Sequence, residues 1–110
     1  MNWKNLNDMA GWRLIQSSSF SRIQVVFKHS TRCSISSMAK ARIEKQLLLS
    51  EDEFYLLDLL NHRDISNAIA QDLEVTHESP QILVIKDGAC IYHASHSEIR
   101  YEEVKEVLMR

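Results

Sequence analysis

The sequence predicts an α/β fold, in which a four-stranded mixed sheet is covered by helices on both faces. Helix-like and strand-like patterns alternate along most of the chain, and this order is typical of parallel strands joined by right-handed crossovers. Two later strand-like runs flank Asp87–Gly88, a dipeptide that favours a tight antiparallel hairpin. A chain of 110 residues has the size of one small domain with a single core, so we expect residues 1–110 to form one domain.

The first half of the chain predicts a helix, a strand and a second helix. Apolar residues at helical spacing indicate that the first helix is amphipathic; they are Leu6, Met9, Ala10 and Leu14. The run "RIQVVFKH" is apolar and β-branched but too short for a convincing helix, so it predicts a buried strand. The second helix has one apolar stripe with a step of four residues, formed by Ile35, Ala39, Ile43 and Leu47.

The second half predicts a strand, a helix, the hairpin and a last helix. The run "EFYLLDLL" is short and apolar and therefore predicts a strand. Helical spacing returns in the apolar residues Ile65, Ala68, Ile69 and Leu73. The hairpin lies within "QILVIKDGACIYHAS", and a final amphipathic helix is indicated by Tyr101, Val104, Val107 and Leu108.

Composition and charge argue against two classes of partner. A formal net charge of −2 gives no basic footprint, so we expect no nucleic-acid partner. No apolar run approaches the roughly 20 residues of a transmembrane helix, and the stretch "MNWKNLNDMAGWRL" lacks the apolar core of a signal peptide. We therefore expect a cytoplasmic protein without a membrane partner, in which the two cysteines are free thiols.

One cysteine lies where the chain turns from the first strand into the second helix, in "FKHSTRCSISS". Cys33 would stand there at a helix N-terminus, where unpaired N–H groups and the macrodipole favour a thiolate. Lys28, His29 and Arg32 precede it, and any of them facing the sulfur would act in the same direction. Because the thiolate attacks in disulfide exchange, the pattern predicts a reactive thiol. The competing interpretation is a small hydrophobic residue in a turn.

Two further residues bear on the mechanism. Ser36 follows Cys33 by one helical turn on the same face, where it could donate a hydrogen bond to the thiolate but could not form a disulfide. An adduct on Cys33 would then need an external thiol to release it. Ser36 fits an ordinary first-turn serine nearly as well. Cys90, in the second strand of the hairpin, is interpreted as a structural cysteine rather than a resolving one.

The motifs "TRCSISS", "HESPQILVIKDG" and "YHASHSEI" together resemble the monothiol bacilliredoxin family. The resemblance covers the chain from Trp12 to the last helix and implies a thioredoxin-like fold. It also implies that the protein is an oxidoreductase that removes bacillithiol from mixed disulfides on S-bacillithiolated client proteins. This activity would serve redox homeostasis. Bacillithiol, a low-molecular-weight thiol, would be the co-substrate, and no cofactor would be tightly bound. Family members commonly carry a proline directly after the cysteine, where this chain has Ser34.

The resemblance also assigns substrate-binding residues. Cis bonds are a small minority of X–Pro bonds, yet the family pattern implies that Pro80, the only proline, is cis and lies beside the thiol. The backbone of Ser79 would then offer a free edge to an incoming peptide or thiol. His77 would line the same face.

Two other functions and a metal site are alternatives to this interpretation. A thioredoxin-like binding or adaptor module could use the Pro80 face without turnover. A monothiol glutaredoxin-like protein is less well matched, because those that carry iron–sulfur clusters typically have Gly-Phe where this chain has Ser34–Ile35. A metal site is not expected, since the five histidines include no His-Glu-x-x-His and the cysteines no Cys-x-x-Cys.

Overall fold

A computed structural model of the chain describes residues 3–44 and 53–109. Its centre is one mixed sheet of five strands in the order β1-β3-β2-β4-β5. The strands are β1 (Lys4–Asn5), β2 (Gln24–His29), β3 (Glu53–Asp58), β4 (Gln81–Lys86) and β5 (Ala89–Ser95). The sequence predicted four of them. The fifth, β1, pairs in parallel with β3 and is too short, at two residues, to leave a periodic pattern.

Within the described residues, four α-helices pack on the sheet, as predicted. They are α1 (Met9–Ser18), α2 (Ser34–Glu44), α3 (Arg63–Leu73) and α4 (Tyr101–Leu108), with a short 3₁₀ turn at His96–Glu98. The first helix begins later than its apolar pattern indicates, because the Asp8 side chain accepts a hydrogen bond from the Gly11 N–H at 2.7 Å and caps it there. Leu6 is a core residue before the helix, and Leu14 is exposed.

The sheet divides the core into two layers. On one side, Phe27 of β2 packs with residues of α2 and α4; on the other, Val26 packs with residues of α1 and α3. Successive residues of a strand point to opposite faces, so the last two residues of β2 also diverge. Lys28 faces α3, where its amine contacts Ser66, and His29 faces α2, where its ring contacts Ser36.

The apolar stripe of α2 is narrower than the sequence indicated. Ala39 and Ile43 are buried as predicted, whereas Ile35 is 55% exposed at the start of the helix. Leu47, the fourth member of the predicted stripe, lies outside the described residues. None of the helices in the two described ranges combines the length and the apolar character that crossing a bilayer requires.

Strand register brings the segment before β4 next to the end of β2. These two strands are antiparallel, with Lys28 opposite Gln81. Pro80, which precedes Gln81, therefore lies near the level of His29, just before the turn that carries Cys33.

Candidate active site

The β2–α2 turn carries a free thiol at the N-terminus of a helix. Cys33 is half-buried and directly precedes α2. Its backbone N–H donates to the Ser30 carbonyl at 3.1 Å, and its carbonyl accepts from the Ser37 N–H at 3.1 Å. The first N–H groups of a helix lack intrahelical partners, so this end of α2 favours a negative sulfur. The first turn of α2 holds no acidic side chain to oppose that effect.

A buried serine fastens the first turn of α2 to the end of β2. The Ser36 hydroxyl accepts a hydrogen bond from the Ser30 backbone N–H at 3.0 Å and shares another with His29 Nδ1 at 2.6 Å. From the sequence we expected this hydroxyl to bond the Cys33 thiolate. In the structure its partners are His29 on β2 and Ser30 in the turn. Ser36 therefore holds the turn that carries the thiol.

The imidazole of His29 is neutral at physiological pH. Burial, and then the charge of Lys40, lower the pKa of His29, against the opposite effect of the Asp58 and Glu44 carboxylates. His29 therefore contributes a hydrogen-bonding group to the turn and no positive charge.

Lys28 lies on the other face of the sheet from α2. Its side chain is fully buried, and Nζ donates to the Ser66 carbonyl at 3.1 Å and lies 3.2 Å from His77 Nδ1. Burial lowers the pKa of Lys28 to about 8. The sequence grouped Lys28 with the modulators of the thiolate, whereas the structure joins it to His77 on the segment before Pro80.

The segment from Glu74 to Pro80, which we call the proline loop, forms the second wall of the site. The Ser79–Pro80 peptide bond is cis, as the family resemblance implied. The Pro80 carbonyl accepts from the His96 N–H at 3.1 Å, and Gln81 Nε2 donates to the Thr76 carbonyl at 3.1 Å. Pro80 is buried, and Ser79 is half-buried. These two hydrogen bonds hold both ends of the segment from Thr76 to Pro80.

The surface beside the thiol combines a cation with apolar side chains. Arg32 is exposed, and a cleft of about 270 Å³ separates Thr31 and Arg32 from Leu60 and Asn61 of the β3–α3 loop. Beyond Cys33 along α2, the exposed apolar residues are Ile35 and Met38. The sequence predicted a role for Arg32 but none for the opposite wall of the cleft, because no local signal connects residues 60–61 with residues 31–32.

Cys90 is remote from this site. It lies opposite Ile85 of β4, which in turn lies opposite Gln24 at the start of β2. Since Cys33 follows the other end of β2 at His29, five residues, or about 16 Å of strand, separate the two levels. Disulfide partners have Cα atoms less than about 7 Å apart, so this structure excludes Cys90 as a resolving thiol. Burial raises its pKa, and its Sγ donates to the Tyr92 carbonyl at 3.3 Å.

A metal centre has no support in the described part of the chain. Within residues 3–44 and 53–109, no three side chains of His, Cys, Asp or Glu gather in a way that could hold a metal ion.

Comparison with known proteins decides the family. A family model described as Monothiol bacilliredoxin BrxC matches residues 4–104. The chain belongs to this family.

Solved structures agree on the fold of this bacilliredoxin family member. One described as having a thioredoxin fold is 26% identical, with a TM-score of 0.85 over 94% of this chain and 90% of that one. A thioredoxin from Fasciola hepatica is 21% identical, with a TM-score of 0.70 over 97% of both chains. Mitochondrial thioredoxin 3 from Saccharomyces cerevisiae is 20% identical, with a TM-score of 0.71 over 97% of this chain and 93% of that one. Family and fold together identify a thiol oxidoreductase.

Proposed function

We propose that the chain removes bacillithiol from S-bacillithiolated client proteins of the cytoplasm by a monothiol mechanism. The observation that supports this most is the isolation of Cys33, a free thiol at the N-terminus of α2 whose only possible partner in the chain lies at the other end of the sheet. A dithiol mechanism needs a second sulfur within bonding reach. A single thiol at a helix N-terminus can instead accept the bacillithiol moiety and hold it until another thiol arrives.

The first step transfers bacillithiol from the client to Cys33. The Cys33 thiolate attacks the bacillithiol sulfur of the mixed disulfide, and a new S–S bond forms as the bond to the client sulfur breaks. The client cysteine leaves as a thiolate and takes a proton from solvent. The dipole of α2 stabilises the attacking thiolate, and the exposed Arg32 adds a positive charge at the rim.

The second step regenerates the enzyme. A second bacillithiol thiolate, or the thiolate of a partner reductase, attacks the bacillithiol sulfur of the adduct and releases Cys33. With bacillithiol, the product is bacillithiol disulfide, so each client is reduced by two electrons and two molecules of bacillithiol are joined.

The client would bind across the two walls of the site. The backbone of Ser79 would pair with an extended segment of the client, as a strand adds to a sheet edge. The exposed Ile35 and Met38 lie three residues apart on α2, so they share one face and would contact apolar residues around the client cysteine.

Intact-mass analysis after mixing the reduced protein with a bacillithiolated client tests the proposal. We expect the wild-type protein and Cys90→Ala to gain one bacillithiol adduct, and Cys33→Ala to gain none. A stable Cys33–Cys90 disulfide in place of the adduct would contradict the monothiol mechanism. No reaction of the wild-type protein would favour a binding module that uses the same surface without turnover.

A further inference from the structure

A buried lysine is the least expected side chain of the sheet. Lys28 stands on β2, whose six residues are all buried, and is 0% exposed. A buried ammonium group is unfavourable unless its protons are matched by acceptors. Its two partners are the Ser66 carbonyl on α3 and the Nδ1 of His77 in the proline loop. Lys28 thus joins the centre of the sheet to the loop that ends at Pro80.

The proline loop is held from the α3 face by neighbouring buried groups. Lys28 and Gln81 are cross-strand partners on β2 and β4. Lys28 contacts the His77 ring at 3.2 Å, and Gln81 donates to the Thr76 carbonyl at 3.1 Å. The Ser66 hydroxyl lies 3.1 Å from the same His77 nitrogen. These three contacts reach two consecutive residues of the loop.

Within residues 3–44 and 53–109, the Lys28 amine contacts a carbonyl and an imidazole and no carboxylate. The facing residues are Leu57 from β3, Gln81 from β4 and Ser66 from α3, none of them charged. Burial alone lowers the pKa of the lysine. It contacts the titratable ring of His77, whose pKa is lowered first by burial and then by Lys28 and Arg63, and is raised by Glu78.

This arrangement determines which nitrogen of His77 carries its proton. An ammonium group can only donate, so the Nδ1 facing it accepts, and the neutral ring keeps its proton on Nε2. His77 as a whole is exposed. Nδ1 is thus held by Lys28, and the remaining N–H belongs to an exposed residue that lies two positions before Ser79.

We propose that Lys28 is a positioning residue for substrate binding, which through His77 fixes the proline loop and presents the His77 Nε2–H as a hydrogen-bond donor to the incoming mixed disulfide. This inference rests on the function proposed above. The group that receives the hydrogen bond is an acceptor oxygen next to the disulfide, either a backbone carbonyl of the client or a carboxylate of the small thiol.

Lys28→Met tests the inference, with Lys86→Met as the matched control on an exposed lysine of β4. Values of KM and kcat are measured for release of bacillithiol from a client between pH 7 and pH 9. At pH 7 we expect KM to rise about fivefold in Lys28→Met, from the loss of a charge-assisted hydrogen bond, with kcat nearly unchanged. Alkylation of Cys33 by iodoacetamide is expected to proceed equally fast in both variants and the wild-type protein.

The dependence on pH is tested with the ratio of the KM of Lys28→Met to the KM of the wild-type protein. Titration of the reacting thiols affects both proteins and cancels in this ratio. We expect the ratio to fall towards one as the pH rises through about 8, where wild-type Lys28 loses its charge. A ratio of one at pH 7, or a raised ratio that does not change with pH, would overturn the proposal. Repeating the assay with a cysteamine mixed disulfide, which has no carboxylate, separates the two acceptors, since the effect persists only if the acceptor is on the client.

A second measurement does not depend on activity. The ¹⁵N shifts of the His77 ring report its tautomer, and we expect the Nε2–H form at pH 7 in the wild-type protein and a mixture of forms in Lys28→Met. The Nδ1–H form in the wild-type protein would refute the inference even if the enzyme were active. If bacillithiol is not a substrate, the wild-type protein gives no adduct in the mass experiment, whereas the tautomer result stands by itself. His77→Phe, which removes the donor, should raise KM as Lys28→Met does.

Discussion

The two faces of the sheet at the end of β2 hold the two walls of the site in different ways. On the α2 face, His29 contacts Ser36 and so fastens the turn that carries Cys33. On the α3 face, Lys28 contacts His77 and so fastens the proline loop. The residues are adjacent in the chain and both are buried. One network joins neutral groups, whereas the other contains a cation whose partners are a carbonyl and an imidazole.

The difference shows that two contacts of similar geometry can respond to opposite changes of pH. A neutral imidazole and a hydroxyl satisfy each other with little desolvation penalty, so the thiol wall is stable near neutral pH. A buried ammonium keeps its charge only below its lowered pKa of about 8. The thiol wall should therefore weaken when acid protonates His29, and the proline-loop wall should change when base deprotonates Lys28.

The largest expected effect is a change in the free energy of unfolding at alkaline pH. The pKa of Lys28 falls from 10.5 in the unfolded chain to about 8 in the folded one, so between these values the unfolded state binds more protons and stability increases with pH. From pH 7 to pH 10 the wild-type free energy of unfolding should gain about 2 kcal/mol relative to Lys28→Met. Urea unfolding of both proteins at each pH measures it. If the free energies of unfolding of the two proteins changed equally with pH, Lys28 would not be a buried cation.

The next effect concerns the thiol wall. Ser36→Ala leaves the Ser30 N–H and His29 Nδ1 without their partner, and we expect a loss of about 1.5 kcal/mol of stability at pH 7. Ser37→Ala, at the exposed neighbouring position of the same helix, should change stability by less than about 0.5 kcal/mol. Equal losses in urea unfolding would show that the Ser36 contacts contribute nothing specific. Iodoacetamide labelling of Cys33 in the two variants tests whether the turn also loses its shape.

The comparison also indicates what the sequence could and could not provide. Alternation along a strand shows that Lys28 and His29 cannot both face Cys33, but only the placement of α2 and α3 decides which of them does. The local pattern predicted the helix N-terminus beside Cys33. The Lys28–His77 contact joins residues 49 positions apart and has no local signal. The cis form of Pro80 came from the family resemblance, since the residue type alone favours trans.

The smallest expected effect follows from a change of charge near His29. Lys40 lowers the pKa of His29 by repulsion, while Glu44, which binds Lys40 at 3.0 Å, raises it. Lys40→Gln removes the repulsion and frees the Glu44 charge, so the pKa of His29 should rise by both routes. Stability at pH 7 should fall by no more than about 0.5 kcal/mol, as for an exposed i,i+4 pair. NMR titration of the His29 ring measures the change, with Lys105→Gln on the exposed face of α4 as the control. An unchanged titration would mean that burial alone keeps His29 neutral, and the thiol wall would then respond only to changes in packing.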